Sequence, residues 1–338
     1  MKTTLYGGLL IFTILVLPPK ASLTLGKAPF AIGTCRGSPQ GAALPGIARD
    51  NCRAARYDVH MIVHLIDGTY ELFRHYYGLR RSPGGERLRF GAVVGVLNTV
   101  LQMLGEGATH LGVATDHVIE SFRNSLWSGY KTGQGVDPAL LAQFEPLEDS
   151  LRAMGIPVWA MTELEADDAL ASAAAIASKD PRVKKICIWT PDKDLAQCVH
   201  EDRIVQVDRR TKIVRDANGV RAKFGVDPEL IPDYLALVGD ASDGYPGIKG
   251  IGAKGATALL TRYGKIESFP PEVLGEGRAL ALLFKELATL QSDAVLFADV
   301  GELEWRGPTA AFPAVCEPLG APYLLTRARA AVRPVAAE

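Results

Sequence analysis

Carboxylates sit where apolar runs end. Asp67 closes the run Met61–Ile66, Asp116 closes His110–Thr115, and Asp192 and Asp194 follow Lys185–Thr190 across Pro191. Glu165, Asp167 and Asp168 open an Ala-rich stretch, and Glu165 and Asp168 share one face at helical spacing. Asp240 and Asp243 stand just before a glycine-rich segment. If the runs are parallel strands, the acids at their carboxyl ends converge, because ligands of open α/β sheets bind there. Two unit charges about 4 Å apart repel by roughly 4 kcal/mol at an effective dielectric near 20. Nine carboxylates in one cleft must therefore be protonated in part or neutralised by cations. An all-oxygen donor set selects hard ions, so Mg²⁺ or Mn²⁺ is expected, rather than zinc. Two such ions make a clamp for in-line phosphodiester hydrolysis, which needs no Ser-His or Cys-His nucleophile. A single aspartate is as readily a turn former or helix cap, and Asp202 and Asp208, in or beside a hairpin, are read that way. Asp167-Asp168 on an otherwise Ala-rich buried helix is a poor core choice without a cation.

The elements that position these acids follow from periodicity. Met61–Ile66, His110–Thr115, Ile156–Trp159 and Lys185–Thr190 read as short buried strands. Phe90–Leu104, Pro138–Met154 and Glu165–Ser178 read as helices, the last with Thr162 and Glu165 as a capping box. Alternating strands and helices predict an α/β fold with a mostly parallel sheet and flanking helices. After Arg203 the texture changes to a hairpin (Ile204–Val207, Lys212–Val214) and then short helices at Pro228–Val238, Ala253–Tyr263 and Ala279–Leu290. The expected organisation is an N-terminal extension over 1–60, a catalytic domain over 61–210, a small helical domain over 211–308 and a tail over 309–338.

Between two of those helices lies Gly247-Ile248-Lys249-Gly250-Ile251-Gly252-Ala253-Lys254. Glycines allow close backbone approach and positive φ. The N–H groups of the following helix then face a phosphate, with Lys249 and Lys254 adding charge. This is a helix–hairpin–helix signature for DNA backbone contact through Gly247, Lys249, Gly250, Gly252 and Lys254. It lacks the Gly-Lys-Ser/Thr of a P-loop, and it follows a helix rather than the strand of a dinucleotide fold.

Taken in order, the motifs resemble the 5′-nuclease family, which includes the 5′→3′ exonuclease domain of bacterial DNA polymerase I, phage 5′-exonucleases and flap endonucleases. Ile66-Asp67-Gly68 with Phe73-Arg74, Ser121-Phe122-Arg123, Gly129-Tyr130-Lys131, Glu165-Ala166-Asp167-Asp168, Thr190-Pro191-Asp192-Lys193-Asp194-Leu195 and Gly239-Asp240-Ala241-Ser242-Asp243 all match. The resemblance covers about Met61 to Gly307. It implies a PIN-like core with a helix-3-turn-helix DNA-binding domain. It places Asp67, Asp116, Glu165 and Asp167 on a first metal, with Asp168, Asp192, Asp194, Asp240 and Asp243 completing the second site and its shell. It puts Arg123 and Lys131 beside the scissile phosphate as catalytic cations, and Tyr130 against a base or in a packing role. Residues Trp127–Leu147 fall where the family builds an arch or clamp. Two departures stand out: Gly244 replaces the usual Asn, and Gln134 stands where an Arg is common. The segment Thr132–Leu151 is acidic.

The whole chain has a formal net charge of −1, so any nucleic-acid surface must be a local patch. Five scattered cysteines without C-x-x-C spacing suggest neither a disulfide framework nor a zinc site, and favour a reducing compartment. Residues 1–60 join a short apolar run, Leu5–Leu17, to a basic, acid-poor stretch; they read as a signal or anchor, an organelle-targeting segment, or sequence upstream of a start at Met61. The expected function is a stand-alone, metal-dependent 5′→3′ exonuclease and flap endonuclease acting on DNA in replication or repair. It is expected to be a cytoplasmic, nucleoid-associated monomer with no small-molecule cofactor and no membrane partner. Export or an organelle enters only through residues 1–60. A PIN-type ribonuclease and a non-catalytic DNA-binding module are the competing readings.

Overall fold

The strands are apolar on both faces, as a parallel sheet covered on both sides requires. In the computed structural model, which describes residues 61–81 and 88–332, β1 (Met61–Asp67), β2 (His110–Asp116), β3 (Val158–Met161), β4 (Val183–Trp189) and β5 (Ile204–Asp208) run parallel. β6 (Ile213–Arg215) closes the edge antiparallel to β5. The order is β3-β2-β1-β4-β5-β6, so the chain winds outward in opposite directions from the β1–β4 neighbours. The N-terminal extension, with its leader and start-site readings, lies outside the described residues.

Helices cover both faces. α1 (Gly68–Arg80), α2 (Gly91–Gly105) and, after the single turns α3 (Arg123–Leu126) and α4 (Pro138–Leu141), α5 (Phe144–Ala153) pack on the side of β1 that Ile66 faces. α6 (Ala166–Ser178) covers the other side, against Val63, Leu65 and Ile186. The helical remainder, α7 (Ala217–Phe224), α8 (Ile231–Val238), α9 (Ala253–Tyr263), α10 (Pro271–Leu274) and α11 (Arg278–Ala288), builds a separate core around Ile231, Leu235, Leu260 and Phe284. No helix among the described residues is long and apolar enough to cross a membrane.

Several expectations need correction. Asp67-Gly68, a pair that locally favours a turn, instead starts α1. Asp67 caps it by accepting from the Tyr70 N–H at 2.7 Å. The helix expected over 138–154 breaks between α4 and α5. The capping box of α6 is Glu165 with Asp168, not Thr162 with Glu165. The division at 210/211 does not separate the packing, because Tyr130, Ala196 and Val199 join the core of the helical part. Nor are the described residues 309–332 a tail. α12 (Phe312–Cys316) and α13 (Tyr323–Ala331) bury Phe312, Cys316, Leu324 and Ala328 in the core beneath α2 and α5. Helical spacing at i, i+4 within each short piece makes that burial possible.

Candidate metal centre

The acids gather at the carboxyl ends of β1, β2 and β4, where the winding direction reverses. Asp67 takes the Thr190 hydroxyl on its second oxygen at 2.9 Å, which ties β1 to the segment after β4. Asp116 accepts from the Ala166 N–H at 2.7 Å and so docks the start of α6 on β2. Thr190 Oγ1 accepts from the Asp192 N–H at 3.2 Å, and the Asp194 N–H reaches Asp192 Oδ1 at 3.1 Å. Asp240 and Tyr245 exchange backbone hydrogen bonds of 2.9 and 3.0 Å, which pinches off a tight loop carrying Asp243. Two carboxylate triads result. Asp167, Asp192 and Asp194 bring oxygens within 4.8 Å of one another, as do Asp194, Asp240 and Asp243, and Asp194 belongs to both.

Crowding of like charges in one recess shifts these groups together. Burial, then Asp192 and Asp67, pushes Asp167 well above the carboxylate range. Burial, then Asp243, Asp192 and Asp240, does the same to Asp194. Burial also raises Asp116 and Asp192, and lifts Asp67 to about 7 against the Tyr70 and Thr190 hydrogen bonds. Asp194 Oδ1 is buried without any hydrogen-bond donor. A buried carboxylate oxygen without a donor is costly, and a hard cation is the partner that an oxygen-only donor set fits. The residues present therefore suit a divalent ion such as Mg²⁺ or Mn²⁺.

A pH test follows. The raised carboxylates keep protons in the folded state that the unfolded chain has already lost. Stability of the metal-free protein should therefore fall as pH rises from the ordinary carboxylate range through about 7, where Asp67 ionises. A cation replaces those protons, so its stabilising effect should be small near about pH 5 and several degrees near about pH 8. Melting curves with Mn²⁺ and with chelator at both pH values read this directly. An equal shift at both would place the cation elsewhere.

Two expected site residues are withdrawn. Asp168 is fully buried and accepts from Arg123 Nη1 (2.8 Å) and Nη2 (2.7 Å), the Glu165 N–H (2.9 Å) and the Gln291 N–H (2.9 Å). Both its oxygens are occupied, so it is not a metal ligand. Arg123 is equally buried, donating also to the Leu287 and Thr289 carbonyls at 2.8 and 3.1 Å. It cannot reach a phosphate. Of the two roles expected for Tyr130, the structure shows packing: it lies in the helical core with its hydroxyl 3.3 Å from Glu165 Oε2.

Lys131 does face the centre. Its ammonium lies 2.7 Å from Glu165 and 3.2 Å from Asp243. Burial disfavours its charge, but Asp243 and Glu165 outweigh that and hold the group well above the lysine range. Burial likewise opposes ionisation of Glu165, yet Lys131 and Arg123 keep it below the usual range. Sequence reading passed over Lys193, whose ammonium pairs with Asp240 at 2.7 Å. Its position between Asp192 and Asp194 was the available signal.

Within the expected arch, Lys131 faces the centre, whereas Val136, Leu140, Phe144 and Leu147 pack into the core. The Gly244 departure has a steric cause. With φ of +82°, a Cβ there would fall 1.9 Å from the Gly129 carbonyl, where the loop crosses and Trp127 Nε1 donates to the Gly244 carbonyl at 3.1 Å. In the hairpin, Gly247 is a packing glycine, since a Cβ would strike the Gly239 nitrogen at 2.4 Å. Lys249, Gly250, Gly252 and Lys254 line an exposed rim, open above both glycines, at the start of α9.

Comparison with known proteins adds independent findings. Residues 62–225 match the family model for the 5′-3′ exonuclease N-terminal resolvase-like domain, and 226–311 the model for its C-terminal SAM fold. The 5′-3′ exonuclease of Buchnera aphidicola is 33% identical over 248 residues, covering 68% of this chain and 81% of that one. DNA polymerase I of Pseudomonas aeruginosa is 35% identical over 259 residues, covering 71% of this chain but 28% of the polymerase. The chain thus spans under a third of that relative. Among solved structures, a zinc-bound T5 5′-exonuclease superposes with TM-score 0.56 at 16% identity over 80% of this chain and 98% of that one. The catalytic core of Rad2 with DNA gives 0.54 at 14% identity over 79% and 90%. At such identities the likeness is one of fold.

Proposed function

The chain belongs to the 5′-3′ exonuclease family, and from that premise we propose that it is a metal-dependent 5′→3′ exonuclease and 5′-flap endonuclease on DNA, working by a two-cation mechanism in replication or repair. The observation that carries the reading is the pair of carboxylate triads sharing Asp194, with a buried oxygen lacking any donor. Asp167, Asp192, Asp194, Asp240 and Asp243 would hold the cations, and Asp67 and Asp116 stand beside them at the strand ends. When bound, the ions supply Lewis acidity toward the phosphodiester and the attacking water.

The chain's own residues do the rest. Thr190 and the Tyr70 N–H fix Asp67, and Asp116 fixes the start of α6, so the acids keep their spacing without help from substrate. Lys131 stays charged across the neutral range and can move from Glu165 and Asp243 toward the phosphate as charge develops there. Lys249 and Lys254 on the rim offer sequence-independent backbone contact. Neither triad requires a second subunit, which supports action as a monomer, and the setting we favour is cytoplasmic.

The test is cleavage of a 5′-labelled DNA flap duplex by the full chain in Mg²⁺ or Mn²⁺ and in chelator, beside a matching RNA flap. Metal-dependent cutting near the junction, or release of nucleotides from the 5′ end, is the expected result. Cutting of the RNA flap alone would move the assignment to a ribonuclease. Binding of both without cutting would leave a non-catalytic module.

A further inference from the structure

Residues 203–223 carry seven basic side chains against two acids, in a chain whose overall charge is −1. Some of these cations have internal duties. Arg203 donates to the Ser178, Asp180 and Val183 carbonyls, and Arg221 pairs with Asp227 and Asn218. Among the described residues, Arg215 and Lys223 are tied to no carboxylate or backbone carbonyl: Arg215 reaches the Gln206 side chain, and Lys223 lies over the Phe224 ring. Neither has a carboxylate within ion-pair distance among the described residues.

Their placement relates them to the acidic centre. Arg215 on β6 sits opposite Gln206 on β5 and donates to its side-chain oxygen. Gln206 is fully buried, and its amide in turn donates to the Asp192 carbonyl. The Arg215 side chain lies along α7 at Gly219, where an added Cβ would meet Arg215 Cγ at 2.8 Å. Lys223 stands one turn further along the same face. Burial lowers both cations, and Arg215 and Lys193 then lower Lys223 further, while Asp192 partly opposes. Like charges are thus held together on a half-covered ledge, and the nearby carboxylates of Asp208 and Asp192 act on them only from beyond ion-pair distance. Such an arrangement is favourable once an anion lies between them.

We infer that Arg215 and Lys223 form a seat for the phosphodiester backbone of the substrate strand where it runs past Asp192. The inference rests on the nuclease reading above and assigns positioning residues to it. A phosphate contact releases counterions, whereas a packing contact does not, so salt dependence separates the two roles.

The experiment measures kcat and KM for the flap duplex across a salt series with the wild-type chain, Lys223→Gln, Lys223→Arg and Arg215→Gln. Expected for Lys223→Gln are a KM raised about three- to tenfold at low salt and a slope of log(kcat/KM) against log salt shallower by about one. Lys223→Arg should restore the slope. Arg215→Gln should act in the same direction, and its melting curve shows whether any of the change is a folding effect. An unchanged slope in Lys223→Gln overturns the inference while leaving the nuclease reading intact. Absence of cleavage by the wild-type chain would instead sink that reading, and the seat with it.

Discussion

Asp194→Asn is expected to reduce flap cleavage by about a thousandfold or more, the equivalent of several kcal/mol of charge stabilisation supplied by bound cations. Asp194 is the one carboxylate common to both triads, so its loss weakens both cation seats at once. The same substitution should make the metal-free protein more stable above neutral pH. Burial and the charges of Asp243, Asp192 and Asp240 oppose ionisation of Asp194, and an amide has nothing to ionise. Activity and metal-free stability therefore move in opposite directions, which a merely damaged fold would not do. Asp202→Asn, in the turn before β5, serves as the control and should change neither. Full stabilisation of Asp194→Asn by Mn²⁺, or cleavage within tenfold of wild type, would remove Asp194 from the metal centre.

Much of this centre could be read from residue order because the rule behind it is topological. An acid after a buried strand lies at the carboxyl end of a parallel sheet whatever the details, so Asp67, Asp116, Asp192 and Asp194 converge once the strands are recognised. The exposed rim at Gly250 and Gly252 was legible for a similar reason, since nothing but a turn accommodates that spacing of glycines. Roles that depend on which way a side chain points were not legible. Arg123 and Asp168 present a cation and an acid in either role, and only packing shows that each is consumed by the other. A hint existed: Asp168 three residues after Glu165 is itself a capping-box spacing, displaced by one turn from the one chosen. Gly244 could be understood only through a contact with Gly129, more than a hundred positions earlier. The closing helices were missed because α12 and α13 are short, Pro-flanked pieces whose apolar residues gain meaning only against α2 and α5. The same holds for α1, where Leu72 and Tyr76 at i, i+4 were masked by an Asp-Gly pair that reads locally as a turn.

Arg123→Met should be the most destabilising of the single changes at the centre, by about 3–5 kcal/mol, because it strands a buried carboxylate. Asp168 would keep the Glu165 and Gln291 N–H groups but lose both guanidinium bonds. The damage should spread, since Arg123 also joins α3 to the carbonyls that end α11, linking the sheet domain to the helical core. A fall in melting temperature on the order of 10 °C is expected for a domain of this size. Arg123→Lys should recover little of it, because one ammonium cannot reproduce a two-pronged contact with Asp168 and two carbonyl bonds besides. Adding Asp168→Leu to Arg123→Met should lose less than the sum of the two single changes, since the stranded charge is gone. The salt dependence of kcat/KM should stay as in wild type in the Arg123 variants, in contrast to the Lys223 series. A phosphate-binding Arg123 demands the reverse: unchanged melting with a shallower salt slope. The two measurements together decide whether this arginine serves the substrate or ties the two halves of the fold around the acids.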